Sequence, residues 1–348
     1  MDFEIQIVHG VEDVGKDAWD KLSTDRPFQS YQWYSFAEKV MKDSGCQPSY
    51  IILSTNGWPV ARASFWLIPN EPLPIHGIAR SVLGKAFQRW PLFICRSPFS
   101  GSSGLILPEP PLMESALSSI AQVAAEQARN FHASCVLFDF LEREAYEKYA
   151  WPAGALGLSV GDPGTKMDIS WPEFDSYLRS MSPKSRKNYR QHCRNAENRK
   201  IRIQIYSEPP SLEDVEPLWR NVETKFHESR NPWNKYLLKH FPMVKGSFIS
   251  AVENDKLVGC GLFLGDRQEL VATGLGLDYN SKNIYSLLNY SAIRAAIEAK
   301  LRVLHWGSGA YEVKGKLGFK VENTNYVVYI GTGRVSKLLG RLVAWWMK

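Results

Sequence analysis

Cysteine is scarce in this chain of 348 residues: Cys46, Cys95, Cys135, Cys193 and Cys260 are odd in number and never fall in a C-x-x-C spacing. That argues against a disulfide framework and a cysteine-built zinc site, so no metal is expected and a reducing compartment fits. No stretch approaches the roughly 18 uninterrupted apolar residues of a membrane span. The start, Met1-Asp2-Phe3-Glu4, has neither the basic head nor the apolar core of a secretory signal, so the expected location is cytoplasmic. A large excess of one charge is missing too. The net charge of +6 suits a preference for anionic ligands but does not mark a dedicated nucleic-acid binder.

What is present is an ordinary globular composition, 44% hydrophobic and 12% aromatic, which excludes disorder. The length exceeds the roughly 250 residues beyond which single cores split, so two domains are expected.

An internal duplication supports this. Ser49 to Leu67, SYIILSTNGWPVARASFWL, aligns without a gap to Ser247 to Gly265, SFISAVENDKLVGCGLFLG. Each reads as a β-hairpin, with Asn56-Gly57 and Asn254-Asp255 at matching turn positions; such residues supply the positive φ that tight hairpin turns need. A helical segment precedes each hairpin, Tyr31 to Lys42 and Glu216 to Ser229. Amphipathic helices Glu114 to Asn130 and Ile284 to Lys300 follow, each leading to a short strand, Cys135 to Phe140 and Arg302 to Trp306. Between hairpin and helix the first half has a longer connection, Pro69 to Pro111, expected to hold loops and an extra strand or two. The fold class is therefore α/β with mixed sheets, in tandem. The turn-rich Gly161 to Gly164 sets the boundary, giving expected domains 1–164 and 165–333, with Met167 to Ser170 as the joining strand. Residues 334–348, RVSKLLGRLVAWWMK, form a basic amphipathic helix that can dock on its own domain or lie on an anionic membrane.

Two segments could carry chemistry. Ser182 to Gln191, SPKSRKNYRQ, opens as a helix with Ser182 as N-cap and Pro183 at the first turn, and its free amides beside Lys184, Arg186 and Arg190 suit an anion. His305 to Phe319 reads as a strand, a Gly-rich turn and a short helix closed by Gly318. Tyr311 and Lys314, three residues apart, are expected on one helical face. For each segment the bland alternative is a solvated basic face or an ordinary turn. Trp219, Phe226, His227 and Trp233 suggest either a packed core or a pocket. Arg96 to Gly104 reads as a flexible Ser/Gly surface loop.

With these motifs in place the chain resembles the tandem GNAT-fold proteins of the FemAB-like acyl- and aminoacyltransferase group. SPKSRKNYRQ is similar to the basic segment that opens the second domain there, and YEVKGKLGF to its Tyr-x-x-Lys-x-x-x-Gly signature, with Gly315 where an arginine is often found. The resemblance implies two tandem GNAT-like domains. It also implies an anionic substrate near Lys184, Arg186 and Arg190, and Tyr311 and Lys314 lining an acyl-transfer cleft; the acceptor pocket would include Trp219 and Phe226. The Gly-rich loop with which simple GNAT enzymes hold pyrophosphate is absent; Asn283, Tyr285 and Ser286 stand in its place. The long helical insertion common in the tRNA-using branch is absent as well, which points to acyl-coenzyme A as co-substrate, with no permanently bound cofactor. The expected activity is N-acyl transfer from a thioester to an amine of a small molecule or envelope precursor, with peripheral membrane contact through the C-terminal helix. Glu312, His305 and Glu223 are candidate bases. The rival readings are aminoacyl transfer to a peptidoglycan precursor and a non-catalytic binder of anionic ligands or membranes.

Overall fold

The computed structural model describes residues 3–72, 78–159, 162–334, 336–338 and 340–341. The chain forms two compact units, 1–163 with 323–348, and 164–322. Through the first unit run β1 (Glu4–Val8), α1 (Lys16–Leu22), α2 (Tyr31–Asp43), β2 (Gln47–Thr55), β3 (Trp58–Ile68), α3 (Ile78–Arg89), β4 (Leu92–Cys95), β5 (Leu105–Ile106), α4 (Met113–Asn130), β6 (Cys135–Leu141), α5 (Arg143–Lys148) and β7 (Leu156–Ser159). The second holds β8 (Thr165–Asp168), α6 (Phe174–Ser180), α7 (Pro183–Asn198), β9 (Ile201–Tyr206), α8 (Leu212–Lys225), α9 (Asn234–His240), β10 (Lys245–Glu253), β11 (Lys256–Asp266), β12 (Glu269–Leu277), α10 (Ile284–Glu298), β13 (Val303–Trp306), α11 (Tyr311–Leu317) and β14 (Lys320–Val321). The last strand, β15 (Tyr326–Gly331), returns to the first unit.

The two sheets repeat one plan. The first runs β1-β2-β3-β4-β6-β15-β7, with β5 beside β3, and the second runs β9-β10-β11-β12-β13-β8-β14. In each, one parallel pair stands among antiparallel neighbours, β4 with β6 and β12 with β13. The duplicated hairpins agree to the residue. Both turns have positive φ at the two central residues, and both ladders slip at the same aligned place, after Leu53 and after Ala251. A bulge kept at one position sets the same local twist in both halves.

The sixth strand of the second sheet is the expected joining strand, shifted to Thr165–Asp168, whereas the sixth strand of the first comes from an unexpected part of the chain. β8 pairs with β13 and β14 in the second sheet, and β15 pairs with β6 and β7 in the first. The expected second domain, 165–333, therefore stops at Glu322, because Tyr326 to Gly331 finds its ladder partners on Cys135–Leu141 and Leu156–Ser159. Gly161, at the expected boundary, lies outside the described residues.

The expected helix from Glu216 starts earlier, at Leu212, because Ser211 accepts from Asp214 N at 3.3 Å and caps it, and it ends at Lys225, before Phe226 and the left-handed His227. The connection Pro69 to Pro111 contains α3 as well as the expected strands. Arg96 to Gly104 is a packed loop, which corrects the flexible reading. Ser97 Oγ donates to Phe28 O at 2.5 Å and accepts from Trp33 Nε1 at 3.1 Å, Gln29 Nε2 donates to Ser103 O at 2.6 Å, and Ser97 is fully buried. A Cβ on Gly104 would stand 2.8 Å from the Arg96 and Ser64 backbones, so only glycine lets this loop close on β3.

The first unit also buries a cation. Arg62 on β3 has no exposed surface; its Nη2 donates to Gln29 Oε1 at 2.7 Å, and its carbon lies 3.8 Å from the Trp19 ring centroid. Nε and Nη1 have no partner, and burial lowers its pKa to about 10. On the opposite face α4 packs Leu117, Ile120 and Ala124 against Ile51, Phe65 and Phe138. The C-terminal segment is helical at Arg334, Ser336 to Leu338, Gly340 and Arg341, and it docks on β15: Tyr329 Oη donates to Ser336 O at 2.6 Å, and a Cβ on Gly340 would meet the Tyr329 ring at 2.4 Å. Residues 342–348 lie outside the described residues.

Candidate active site

In the second unit β12 and β13 run side by side only from Glu269 opposite Val303 to Ala272 opposite Trp306. Beyond that point β13 has ended, while β12 continues to Leu277 with ladder partners, among the described residues, on β11 alone. Thr273 is the extra residue of a bulge, skipped between the pairs Phe263 with Ala272 and Leu262 with Gly274. Bulges bend a strand and re-aim its side chains, here just past the point where the pairing with β13 stops. Ala272 to Leu275 are accordingly half-exposed although the strand is central. The result is an open strand edge, of the kind that can pair with the amides of an extended ligand.

Next to it is the end of β13. Lys314 Nζ donates to Trp306 O at 3.1 Å, Gly307 O at 2.7 Å and Ser308 O at 3.0 Å. Thr165 Oγ1 donates to Trp306 O and, at 3.1 Å, to Gly307 O. These donors draw the carbonyls off the line of the sheet and fix the turn that starts α11. Left-handed Gly309 and Ala310 shape that turn, and Gly318, at φ 102°, closes the helix as expected. Lys314 is 1% exposed, and burial lowers its pKa to about 8, which still leaves the ammonium the main form at neutral pH. With every N–H engaged, Lys314 acts on the strand end and does not project into a cleft beside Tyr311, as helical spacing suggested. Tyr311 is half-buried and Gly315 exposed, so the missing arginine leaves no gap in the core.

His305 is held in a charge cluster. Its Nε2 lies 2.8 Å from Glu269 Oε2 and its Nδ1 3.0 Å from Glu322 Oε1, and Arg302 Nη2 donates to Glu269 Oε1 at 2.9 Å. Burial alone would lower the imidazole pKa; the two carboxylates outweigh it and raise it to about 9. An imidazolium locked between two acids cannot accept a proton at neutral pH, which removes His305 from the candidate bases. Glu312 is paired with Lys316, and Glu223 accepts from Arg220 and from Asn231 N at 2.9 Å.

Helices flank the open strand on both faces. Trp219 of α8 lies over Gly274, where a Cβ would stand 3.2 Å from Nε1, and Leu218 covers Gly276, where a Cβ would meet its own at 2.7 Å. Trp219 is 3% exposed and its Nε1 has no hydrogen-bond partner among the described residues. On the other face Asn289 of α10 is fully buried; its Nδ2 donates to Tyr285 O at 2.7 Å and its Oδ1 has no partner. The Tyr285 and Trp306 ring centroids are 6.4 Å apart, edge to face, which ties the first turn of α10 to the end of β13. Asn283 is the left-handed N-cap of that helix, and Ser286 is half-buried beside it. The structure thus brings Tyr285 to the end of β13 and Trp219 to the open strand, with Asn283 and Ser286 on the same helical turn as Tyr285.

The basic segment lies on α7, which packs on α10 with the Tyr189 and Tyr290 ring centroids 4.8 Å apart. Lys184 and Arg190 are exposed on α7, whereas Arg186 Nη1 donates to Met181 O at 2.6 Å and Arg179 O at 3.1 Å, closing the end of α6. Ser182 caps α7 as expected, accepting from Ser185 N at 3.2 Å. Phe226 is 57% exposed, outside the core. Asn289 and Thr273 were missed by the sequence reading. The signal for the open strand was the spacing Gly274-x-Gly276: two glycines on one face of a strand admit a large side chain.

The matching place in the first unit is sealed. Arg96, next after β4, bonds Glu71 Oε1 at 2.8 Å and Asp139 Oδ2, on β6, at 3.0 Å, with Phe140 5.6 Å below and Trp66 Nε1 donating to the Arg96 carbonyl. The ion cluster fills the space that is open in the second unit.

Two sheets of one strand order, each with a single parallel pair and a crossover helix, define a tandem GNAT-fold protein. The chain matches the profile of the FemAB-like family, described as peptidoglycan biosynthesis/recognition, over residues 10–344, and it belongs to that family. Among solved structures it is similar to FemX, with 10% identity, a TM-score of 0.63, and coverage of 96% of this chain and 100% of that one. It is similar to a tandem GNAT protein from the clavulanic acid biosynthesis pathway at 11% identity and a TM-score of 0.54, covering 95% and 99% of the two chains. For L-PGS from Bacillus licheniformis the values are 13% and 0.52, with 88% and 91% covered. These likenesses are of fold. No functionally curated protein matches the sequence significantly.

Proposed function

We propose that the second unit transfers an acyl group from acyl-coenzyme A to an amine on a cell-envelope precursor. The observation that carries this reading is the open edge of β12 beside the diverted end of β13, with its counterpart in the first unit closed by Arg96. A pantetheine arm carries amides that can complete such an edge, and the first turn of α10, with Asn283, Tyr285 and Ser286, offers backbone amides at a helix start to a pyrophosphate. Lys184 and Arg190 are exposed and suit an anionic acceptor.

In the reaction the amine nitrogen attacks the thioester carbonyl carbon, the C–S bond breaks, the amide forms, and the thiol leaves with a proton. Trp219 Nε1, buried and unpartnered, is the donor we assign to the developing oxyanion, and Tyr311 the phenol nearest in sequence to the strand end for the departing sulfur. Lys314 is a positioning residue that keeps the end of β13 diverted. No locked ion pair supplies a base, so orientation of an already neutral amine provides much of the rate.

The test is a thermal-shift series with coenzyme A, acyl-coenzymes A and nucleotide-linked cell-wall precursors, followed by mass spectrometry of the mixtures, because a ligand of the native state raises its stability with occupancy. Stabilisation by a thioester and an acylated precursor support the reading. Stabilisation by the precursors alone, with transfer only from aminoacyl-tRNA, would replace the donor.

A further inference from the structure

On the first unit, Arg89 and Trp90 after α3, Arg129 and His132 after α4, and Thr332 and Gly333 after β15 surround an open cavity of about 480 Å³. Thr332 Oγ1 ties its floor, donating to Ala133 O at 2.8 Å and Ser134 O at 2.9 Å. Around it the surface is both basic and apolar. None of the residues from Ser81 to Arg89 on α3 is buried, and Val82 is 58%, Trp90 52% and Leu338 60% exposed. Lys85, Lys337 and Arg341 are exposed on the same two helical segments.

The sequence around this face is free of acids. From Pro72 to Pro108 and from Asn323 to Lys348 there is no aspartate or glutamate, in a chain that carries 36 of them. On α4 the nearest acid is Glu126, which accepts from Gln122 at 3.2 Å. A soluble surface normally intersperses charges of both signs and hides apolar side chains of this size. Two helical segments that present Lys and Arg with exposed Val, Leu and Trp have the make-up of an interfacial contact: cations meet phosphates while the aromatic and aliphatic groups enter the headgroup boundary.

We infer that this face, built by α3, the end of α4 and the start of the C-terminal helix, is a docking surface for an anionic phospholipid bilayer. Docking of the C-terminal helix on β15 through Gly340 and Ser336 leaves Lys337, Leu338 and Arg341 outward, so attachment to its own sheet and contact with lipid are compatible. Substrate chemistry in the second unit plays no part in this inference.

The experiment is co-sedimentation of the full chain with vesicles rich in phosphatidylglycerol and with vesicles of phosphatidylcholine alone. The expected result is binding to the anionic vesicles, weakened by salt. Arg89→Glu with Arg129→Glu should lower it at least about 25-fold, since each basic residue at such a surface contributes about 5-fold. Trp90→Ala should weaken binding without changing its salt dependence, and the melting temperatures of the variants should match the parent. Equal partition onto both vesicles, no binding to either, capture by single-stranded RNA in place of vesicles, or undiminished binding by the double variant would each overturn the inference.

Discussion

His305 gives the sharpest quantitative prediction. In the folded chain its imidazole stands between Glu269 and Glu322, at 2.8 and 3.0 Å, with 13% of its side chain exposed. Its pKa is raised from 6.5 to about 9, by carboxylate hydrogen bonds that overcome the opposing effect of burial. A folded value above the unfolded one means that the native state holds the proton more tightly. The resulting stability is fully present below pH 6.5 and is lost as pH rises through about 9. At about 1.4 kcal/mol per decade, that rise corresponds to about 3 kcal/mol. Urea unfolding at a series of pH values from 6 to 10 should show this decline in the parent. His305→Gln, which keeps a neutral polar side chain between the acids, should flatten it and should cost about 3 kcal/mol at pH 6, converging on the parent at high pH. Imidazole resonances titrating near 6.5, or a variant that follows the parent curve, would refute the reasoning. The same variant separates structure from catalysis: if His305 were the base, the acidic limb of kcat/KM would vanish with it, whereas the locked imidazolium predicts that the limb remains.

Three further predictions follow from the packing. A chain ending at Glu322 loses β15 from between β6 and β7 of the first sheet, so proteolysis should degrade 1–163 and leave 164–322 intact, while the excised segment 164–322 should unfold cooperatively by itself. Lys314→Met should destabilise the second unit by about 2 kcal/mol, because Ser308 O loses its lysine donor while Thr165 still serves Trp306 O and Gly307 O; any transferase turnover should fall by more than the unfolded fraction accounts for. Arg62→Met should leave stability within about 1 kcal/mol of the parent or raise it, since it removes a buried cation with two unpartnered groups, whereas Gln29→Ala should cost about 2 kcal/mol or more by stripping that cation of its main acceptor. Denaturant midpoints decide the last two.

Local signals carried most of the elements. The hairpin turns at Asn56-Gly57 and Asn254-Asp255, the Ser182-Pro183 helix start and the Gly318 stop each express a backbone preference of a few neighbouring residues, and each stands where the sequence put it. Long-range pairing was not legible. β15 meets β6 and β7 across more than 160 residues, and no local pattern distinguishes an apolar strand that closes its own sheet from one that closes the other. At the site, the motif around Lys314 located the diverted end of β13. It did not reveal that the ammonium faces inward, because spacing fixes the side of a helix but not what covers it. Arg96 looked like the start of a loose loop for a similar reason: its partners, Glu71 and Asp139, are distant in sequence.

In the proposed reaction the open edge of β12 receives an extended acyl donor. Hydrogen exchange of the backbone amides with and without acetyl-coenzyme A tests it most directly. Slowed exchange in Thr273 to Leu277 and the first turn of α10, with Arg96 and its neighbours unchanged, is the predicted result. Protection confined to the first unit, or none in the second at saturating ligand, would contradict it.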